Sequence, residues 1–155
     1  MLNIGDKAPD FRGEATIGRT ITLSEFQQQG KNVILYFYPK DMTSGCTAEA
    51  CDFGLHYHNF EEAQTIIIGV SKDTMSSHHK FIEKFNLPFI LVSDPELEII
   101  KMYGVWKEKT MYGKKSMGVE RTTFLIDKNG VIQKIYPKVK VAGHVAKVLS
   151  DLTSL

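Results

Sequence analysis

Short apolar runs bounded by turn residues recur along the chain. Residues 32–38, 65–71, 89–92 and 122–127 are each too brief for a helix and rich in β-branched and aromatic side chains. That combination predicts buried strands. Asp127-Lys128-Asn129-Gly130 has the composition of a tight turn, so residues 131–136 are predicted to fold back as the second arm of a hairpin. Between the strands the apolar spacing changes to three and four. Residues 47–62 carry Ala50, Phe53, Tyr57 and Phe60 on one helical face, and residues 76–85 repeat the pattern with Phe81, Ile82 and Phe85. A short helix is expected after Asp94-Pro95, because proline suits a first turn. A last helix over 142–152 places Val145, Val148, Leu149 and Leu152 together. Alternating strands and helices, followed by a hairpin and a closing helix, predict an α/β fold whose sheet is covered by helices on both faces. Residues 107–118 show no period and a surplus of lysine, and read as a solvated loop.

Composition changes this picture little. The 155 residues suit one domain spanning the whole chain, with no repeat, low-complexity stretch or linker to divide it. A net charge of +1, from 19 basic and 18 acidic residues, gives no footprint for nucleic acid. No apolar run approaches the length that spans a membrane. The opening MLNIGDKAPDF lacks a basic segment followed by an apolar one, so no signal peptide is expected. These features point to the cytoplasm. In a reducing compartment the two cysteines, Cys46 and Cys51, are better candidates for catalysis or metal binding than for a structural staple.

The chemistry concentrates between Tyr36 and Cys51. A strand ends at Pro39, a polar loop follows, and a helix begins near Cys46. A sulfur there lies beside unpaired backbone N–H groups at the positive end of the helix dipole, which favours the reactive thiolate. Open α/β sheets place their sites in such loops, beyond the carboxyl ends of strands. Three further residues fit a thiolate that attacks a peroxide. Thr43 supplies a hydroxyl that can donate and accept, and also suits a helix cap. Pro39 lacks an N–H and can shield the sulfur from water. Arg121 opens a central strand, and its fixed charge and planar fork can favour the thiolate and bind peroxide oxygen.

Pro39-x3-Thr43-x2-Cys46, with Arg121 in Val-Glu-Arg-Thr-Thr-Phe, resembles the signature of peroxiredoxins. The resemblance is closest to the subgroup called bacterioferritin comigratory protein or peroxiredoxin Q. It is carried by residues 5–11, Tyr36-Phe-Tyr-Pro-Lys-Asp41, Gly45-Cys-Thr-Ala-Glu-Ala-Cys51, Tyr103-Gly-Val-Trp106 and Thr123-Phe-Leu-Ile-Asp127, and runs over residues 4–150. It implies a thioredoxin-like fold with a central mixed sheet, and reduction of hydrogen peroxide or organic hydroperoxides. It also implies Cys46 as the attacking residue, Cys51 as the resolving residue on the same chain, and Glu49 orienting Arg121. Thioredoxin or a similar dithiol is the implied reductant, the monomer the implied state, and no metal, flavin or haem is needed. Ser44 stands where the subgroup commonly has proline, which removes a restriction on the loop backbone.

Other readings stand beside this one. Cys51 also suits the inner face of its helix as a plain small hydrophobe, and Arg121 also suits an ion pair with Glu49 or Glu120. A thiol–disulfide oxidoreductase of the same fold lacks its usual Cys-x-x-Cys motif here. A Cys/His metal module built on Cys46, Cys51, His56 and His58 has unsuitable spacing, and one helix would point the four side chains in different directions. His56, His58, His78, His79 and His144 all read as solvated residues, and Lys114 and Lys115 as ordinary loop charges. Helix geometry adds one constraint. Five residues of α-helix set the Cα atoms of Cys46 and Cys51 roughly 8.6 Å apart, beyond the ~7 Å limit for a disulfide. A disulfide between them requires the helix to unwind.

Overall fold

The computed structural model describes residues 1–155. Its main sheet has seven strands: β1 (Arg12–Ala15), β2 (Arg19–Thr22), β3 (Asn32–Phe37), β4 (Thr65–Ser71), β5 (Ile90–Ser93), β8 (Thr122–Ile126) and β9 (Ile132–Tyr136). A separate hairpin joins β6 (Trp106–Met111) to β7 (Lys114–Val119). The helices are α1 (Leu23–Gln28), α2 (Ser44–Leu55), α3 (Tyr57–Glu62), α4 (Met75–Phe85), α5 (Glu98–Met102) and α6 (His144–Thr153). Strand order in the sheet is β2-β1-β5-β4-β3-β8-β9. The central β5, β4 and β3 run parallel, whereas β8, β9, β1 and β2 join antiparallel. The sheet is therefore mixed, as expected.

Strand β3 shows how the two-residue period builds two cores. Val33, Leu35 and Phe37 enter one cluster, while Ile34, Tyr36 and Tyr38 enter the other. Helices α1 and α5 close the first face through Leu23, Phe26, Ile99 and Ile100. Helices α2, α3, α4 and α6 close the second through Phe53, Phe60, Phe81 and Val148. Each such fully buried side chain contributes about 1.5–3 kcal/mol. Phe53 stacks on Tyr36 at 4.7 Å between ring centroids, which seats α2 against the end of β3.

Three expectations need correction. The helix predicted over 47–62 is two helices, interrupted at His56. The short helix after Asp94-Pro95 begins only at Glu98, and the Asp94 carboxylate accepts from the Glu98 and Ile100 N–H groups. Residues 107–118 are not a loop but most of the β6–β7 hairpin, closed by Tyr112 and Gly113, both at positive φ. Its side chains are almost all exposed, so no burial pattern marks it in the sequence. The sheet also gains β1 and β2, four residues each, too short to register as a period.

Candidate active site

Strand β3 and helix α2 are joined by residues 38–43, and the site lies where that connection meets the start of β8. Phe37 pairs with Thr122 across the antiparallel β3–β8 ladder. Arg121, one residue before β8, is thereby delivered beside the end of β3. Cys46 lies in the first turn of α2 and is buried at 2% exposure. The guanidinium of Arg121 bridges two partners. Its Nη1 donates to Glu49 Oε1 at 2.8 Å and its Nη2 to Cys46 Sγ at 3.4 Å. Gly45 leaves room for this approach, since a Cβ there would stand 3.1 Å from Arg121 Nη2, a tight contact. Of the two ion-pair partners considered for Arg121, the structure selects Glu49.

The electrostatics follow from this packing. Burial pushes the Glu49 carboxyl up to about 7, against the pull of Arg121, and Asp52 adds to the rise. Glu49 Oε2 has no hydrogen-bond partner, and neither does the buried hydroxyl of Tyr36. For Arg121, burial opposes the charge, but Glu49 and Cys46 outweigh it and raise its value. Lys109 of β6, read from the sequence as a loop residue, feels both Arg121 and Cys46, and burial lowers its value. The Cys46 sulfur thus faces a fixed cation and lies in the first turn of a helix.

The other expected residues fall as follows. Thr43 is the N-cap of α2 by position, but its side chain makes no capping bond; its hydroxyl donates to Lys40 O at 2.8 Å and keeps its lone pairs free. Pro39 is half-buried at the end of β3, and Ser44 is the exposed first residue of α2. Cys51 lies in the same unbroken helix as Cys46 but is exposed, and both thiols are free. Burial and then Asp52 raise the Cys51 value. The four-residue Cys/His cluster does not assemble; the one group of metal-type side chains in contact is Asp41, Asp73 and His78.

Two histidines correct the sequence reading. His78 is wholly buried, with both ring nitrogens engaged, and His144 is buried against Thr123 Oγ1 at 2.9 Å. Burial, with the charge of Arg121, lowers His144 to about 4. Spacing carried the signal for both. His78 precedes Phe81 by three and Phe85 by seven, and His144 precedes Val148 by four and Leu152 by eight, on the apolar stripes of their helices.

Comparison with known proteins places these features in a group. Residues 4–135 match the AhpC/TSA family. The chain is 49% identical over 154 residues to Peroxiredoxin Bcp of Bacillus subtilis, covering 99% of this chain and 97% of that one. It superposes on a crystal structure of PrxQ from Xylella fastidiosa with a TM-score of 0.93 at 37% identity, covering 99% and 97% of the two chains. A Xanthomonas campestris bacterioferritin comigratory protein, studied for alkyl peroxide reduction in a trapped intermediate and ligand complex, gives a TM-score of 0.87 at 40% identity, covering 93% and 90%.

Proposed function

The chain belongs to the AhpC/TSA family and is a thiol-dependent peroxidase of the Bcp and PrxQ peroxiredoxins with a thioredoxin-like fold; we propose that Cys46 attacks the peroxide, with Arg121 and Thr43 organising the reacting oxygens. One observation carries this assignment. A single guanidinium reaches Cys46 Sγ and Glu49 Oε1 at once, so the cation beside the sulfur is itself held in place.

The thiolate of Cys46 attacks one oxygen of the O–O bond. An S–O bond forms, the O–O bond breaks, and water or an alcohol departs after taking a proton. Charge develops on the departing oxygen, where the N–H groups of Arg121 can meet it, while the Thr43 hydroxyl, its proton donated to Lys40 O, can accept from the peroxide O–H and so orient it. Pro39 helps to close the sulfur from bulk water, and Glu49 holds the fork. The resulting sulfenic acid is attacked by the Cys51 thiolate, which forms the disulfide and expels the oxygen as water. An external dithiol, thioredoxin or a protein like it, then exchanges with the disulfide and restores both thiols. Hydrogen peroxide and organic hydroperoxides are the proposed substrates, in line with the alkyl peroxide reduction for which the Xanthomonas relative is studied. The 155 residues act as one domain and as a monomer, with no metal or organic cofactor. The cytoplasm suits a cycle that must return Cys46 to its thiol.

Peroxide consumption with a thioredoxin system tests the assignment. Cys46→Ser should abolish turnover. Cys51→Ser should keep one equivalent of fast peroxide reduction and lose sustained turnover. Persistence of turnover in Cys46→Ser would remove the assignment.

A further inference from the structure

Asp41 sits in the middle of the connection between β3 and α2, five residues before Cys46, and is 4% exposed. Its Oδ1 accepts from the Tyr38 hydroxyl at 2.6 Å, and its Oδ2 from the Ser77 hydroxyl at 2.7 Å. His78 Nδ1 lies 2.7 Å from the same Oδ2, and His78 Nε2 lies 3.0 Å from the carbonyl of Val92. A backbone carbonyl only accepts, so Nε2 carries a proton. Burial works against ionisation of Asp41, but hydrogen bonds from His78, Tyr38 and Ser77 prevail and hold its carboxyl below the ordinary range. The 2.7 Å separation of Oδ2 and Nδ1 therefore requires one proton between them, shared by the pair.

The same residue is also fixed through its backbone. The Asp41 N–H donates to Asp73 Oδ2 at 2.9 Å, and that oxygen also accepts from the Ser71 hydroxyl at 2.6 Å. The connection is thus tied to α4 through Ser77 and His78, to β5 through Val92 and to the end of β4 through Ser71 and Asp73. Although Asp41, Asp73 and His78 bring metal-type atoms within 4.8 Å of one another, protein donors and acceptors already engage the atoms involved. The cluster is a clamp and not a cation site.

What the clamp holds is strained. Met42, the next residue, is at φ 67°, a left-handed conformation that a residue bearing a side chain rarely adopts. Such a residue persists only where its surroundings over-determine it. Directly after it come Thr43 and the first turn of α2 with Cys46. Resting on the peroxidase assignment above, we propose that the buried, hydrogen-bonded pair of Asp41 and His78 act as positioning residues that fix the Met42 turn, and so the Thr43 hydroxyl, in register with Cys46 for attack on peroxide. Neither residue touches the reacting atoms; both act through the loop.

The test separates positioning from folding and from the chemistry itself. In His78→Phe the ring packing is kept and both donors are lost; in His78→Asn a donor towards Asp41 is kept. Each variant is assayed for the rate of Cys46 oxidation by hydrogen peroxide, for Cys46 alkylation by iodoacetamide, and for melting temperature. Alkylation needs the thiolate but no ordered peroxide site. His78→Phe should slow peroxide oxidation by about tenfold to a hundredfold, leave alkylation within about twofold, and be partly rescued in His78→Asn. Wild-type peroxide rates in folded His78→Phe, or equal losses in both reactions, would overturn the proposal. Failure of wild-type Cys46 to react with peroxide would instead strike the peroxidase assignment.

Discussion

On one side of residues 39–43, Asp41 accepts from Tyr38, Ser77 and His78, and His78 has a partner at both ring nitrogens. On the other side, Glu49 uses one oxygen for Arg121 and leaves the second without a partner, while the Tyr36 hydroxyl has none. The two clusters are similarly buried and flank the same connection, yet one is saturated and the other is not. A buried polar group without a partner costs about 1–3 kcal/mol, so the saturated cluster resists opening and the unsaturated one gives up less when it opens. The difference matches what the proposed cycle asks of each. The Asp41–His78 side must hold still while Cys46 reacts. The Glu49–Arg121 side must release Cys46, because α2 runs unbroken through Cys46 and Cys51 and no disulfide can form across it.

Amide hydrogen exchange probes this contrast where the effect is largest. In the disulfide state the first turns of α2 should lose protection by about a thousandfold as they open locally, whereas the amides of Asp41 and α4 should keep theirs. Equal protection of α2 in the two redox states, with a Cys46–Cys51 bond confirmed by mass spectrometry, would end the unwinding mechanism. Loss of protection on both sides would erase the contrast between the clusters.

The unsaturated side depends on one guanidinium. Arg121→Lys keeps the charge but cannot reach Glu49 and Cys46 with a planar fork, and should slow Cys46 oxidation by about a hundredfold. Thr43→Val, which removes only a hydroxyl, should slow it by about tenfold. Stopped-flow fluorescence reads both, with the half-buried Trp106 as reporter. A wild-type rate in Arg121→Lys would leave the fork without a role.

The smallest effects are in stability against pH, where two shifted groups near Arg121 oppose each other. Glu49 is raised from 4.5 to about 7, so the folded state holds its proton more tightly and stability falls as pH rises through that window. His144 is lowered from 6.5 to about 4, so the folded state holds its proton less tightly and stability is lost as pH falls from 6.5 towards 4. Each slope is at most about 1.4 kcal/mol per pH unit. The two should nearly cancel between 4.5 and 6.5. Relative to wild type, Glu49→Gln should gain stability with rising pH across that range, and His144→Phe should lose it. Melting temperatures at pH 4.5, 5.5 and 6.5 decide the matter, and parallel curves for all three proteins would refute both assignments.

The central sheet was legible because β3, β4 and β8 are buried on both faces and so appear as unbroken apolar runs. Cys46, Thr43 and Pro39 were legible because they lie within eight residues, where local spacing fixes their relation. Arg121 is 75 residues from Cys46, and its place at the start of a central strand, together with the resemblance, linked them; the β3–β8 register is what brings them to 3.4 Å. The β6–β7 hairpin escaped notice because it is held by backbone pairing with exposed side chains, and backbone pairing leaves no trace in residue type. His78 escaped because a histidine does not show from its type whether it is solvated or buried. Its helical spacing showed the face, but its partners come from the connection after β3 and from β5.

The sequence by itself therefore determined the elements with strong periodicity, the cysteine at a helix start, and the conflict between one continuous helix and a Cys46–Cys51 bond. Each of these depends on neighbours within a few residues. Tertiary structure alone decided which carboxylate pairs with Arg121, that Glu49 keeps an unpartnered oxygen, and that Asp41 and His78 meet in a saturated pair. Those outcomes depend on which strands lie side by side and on how much water is excluded between them, and neither is a property of any short stretch of chain.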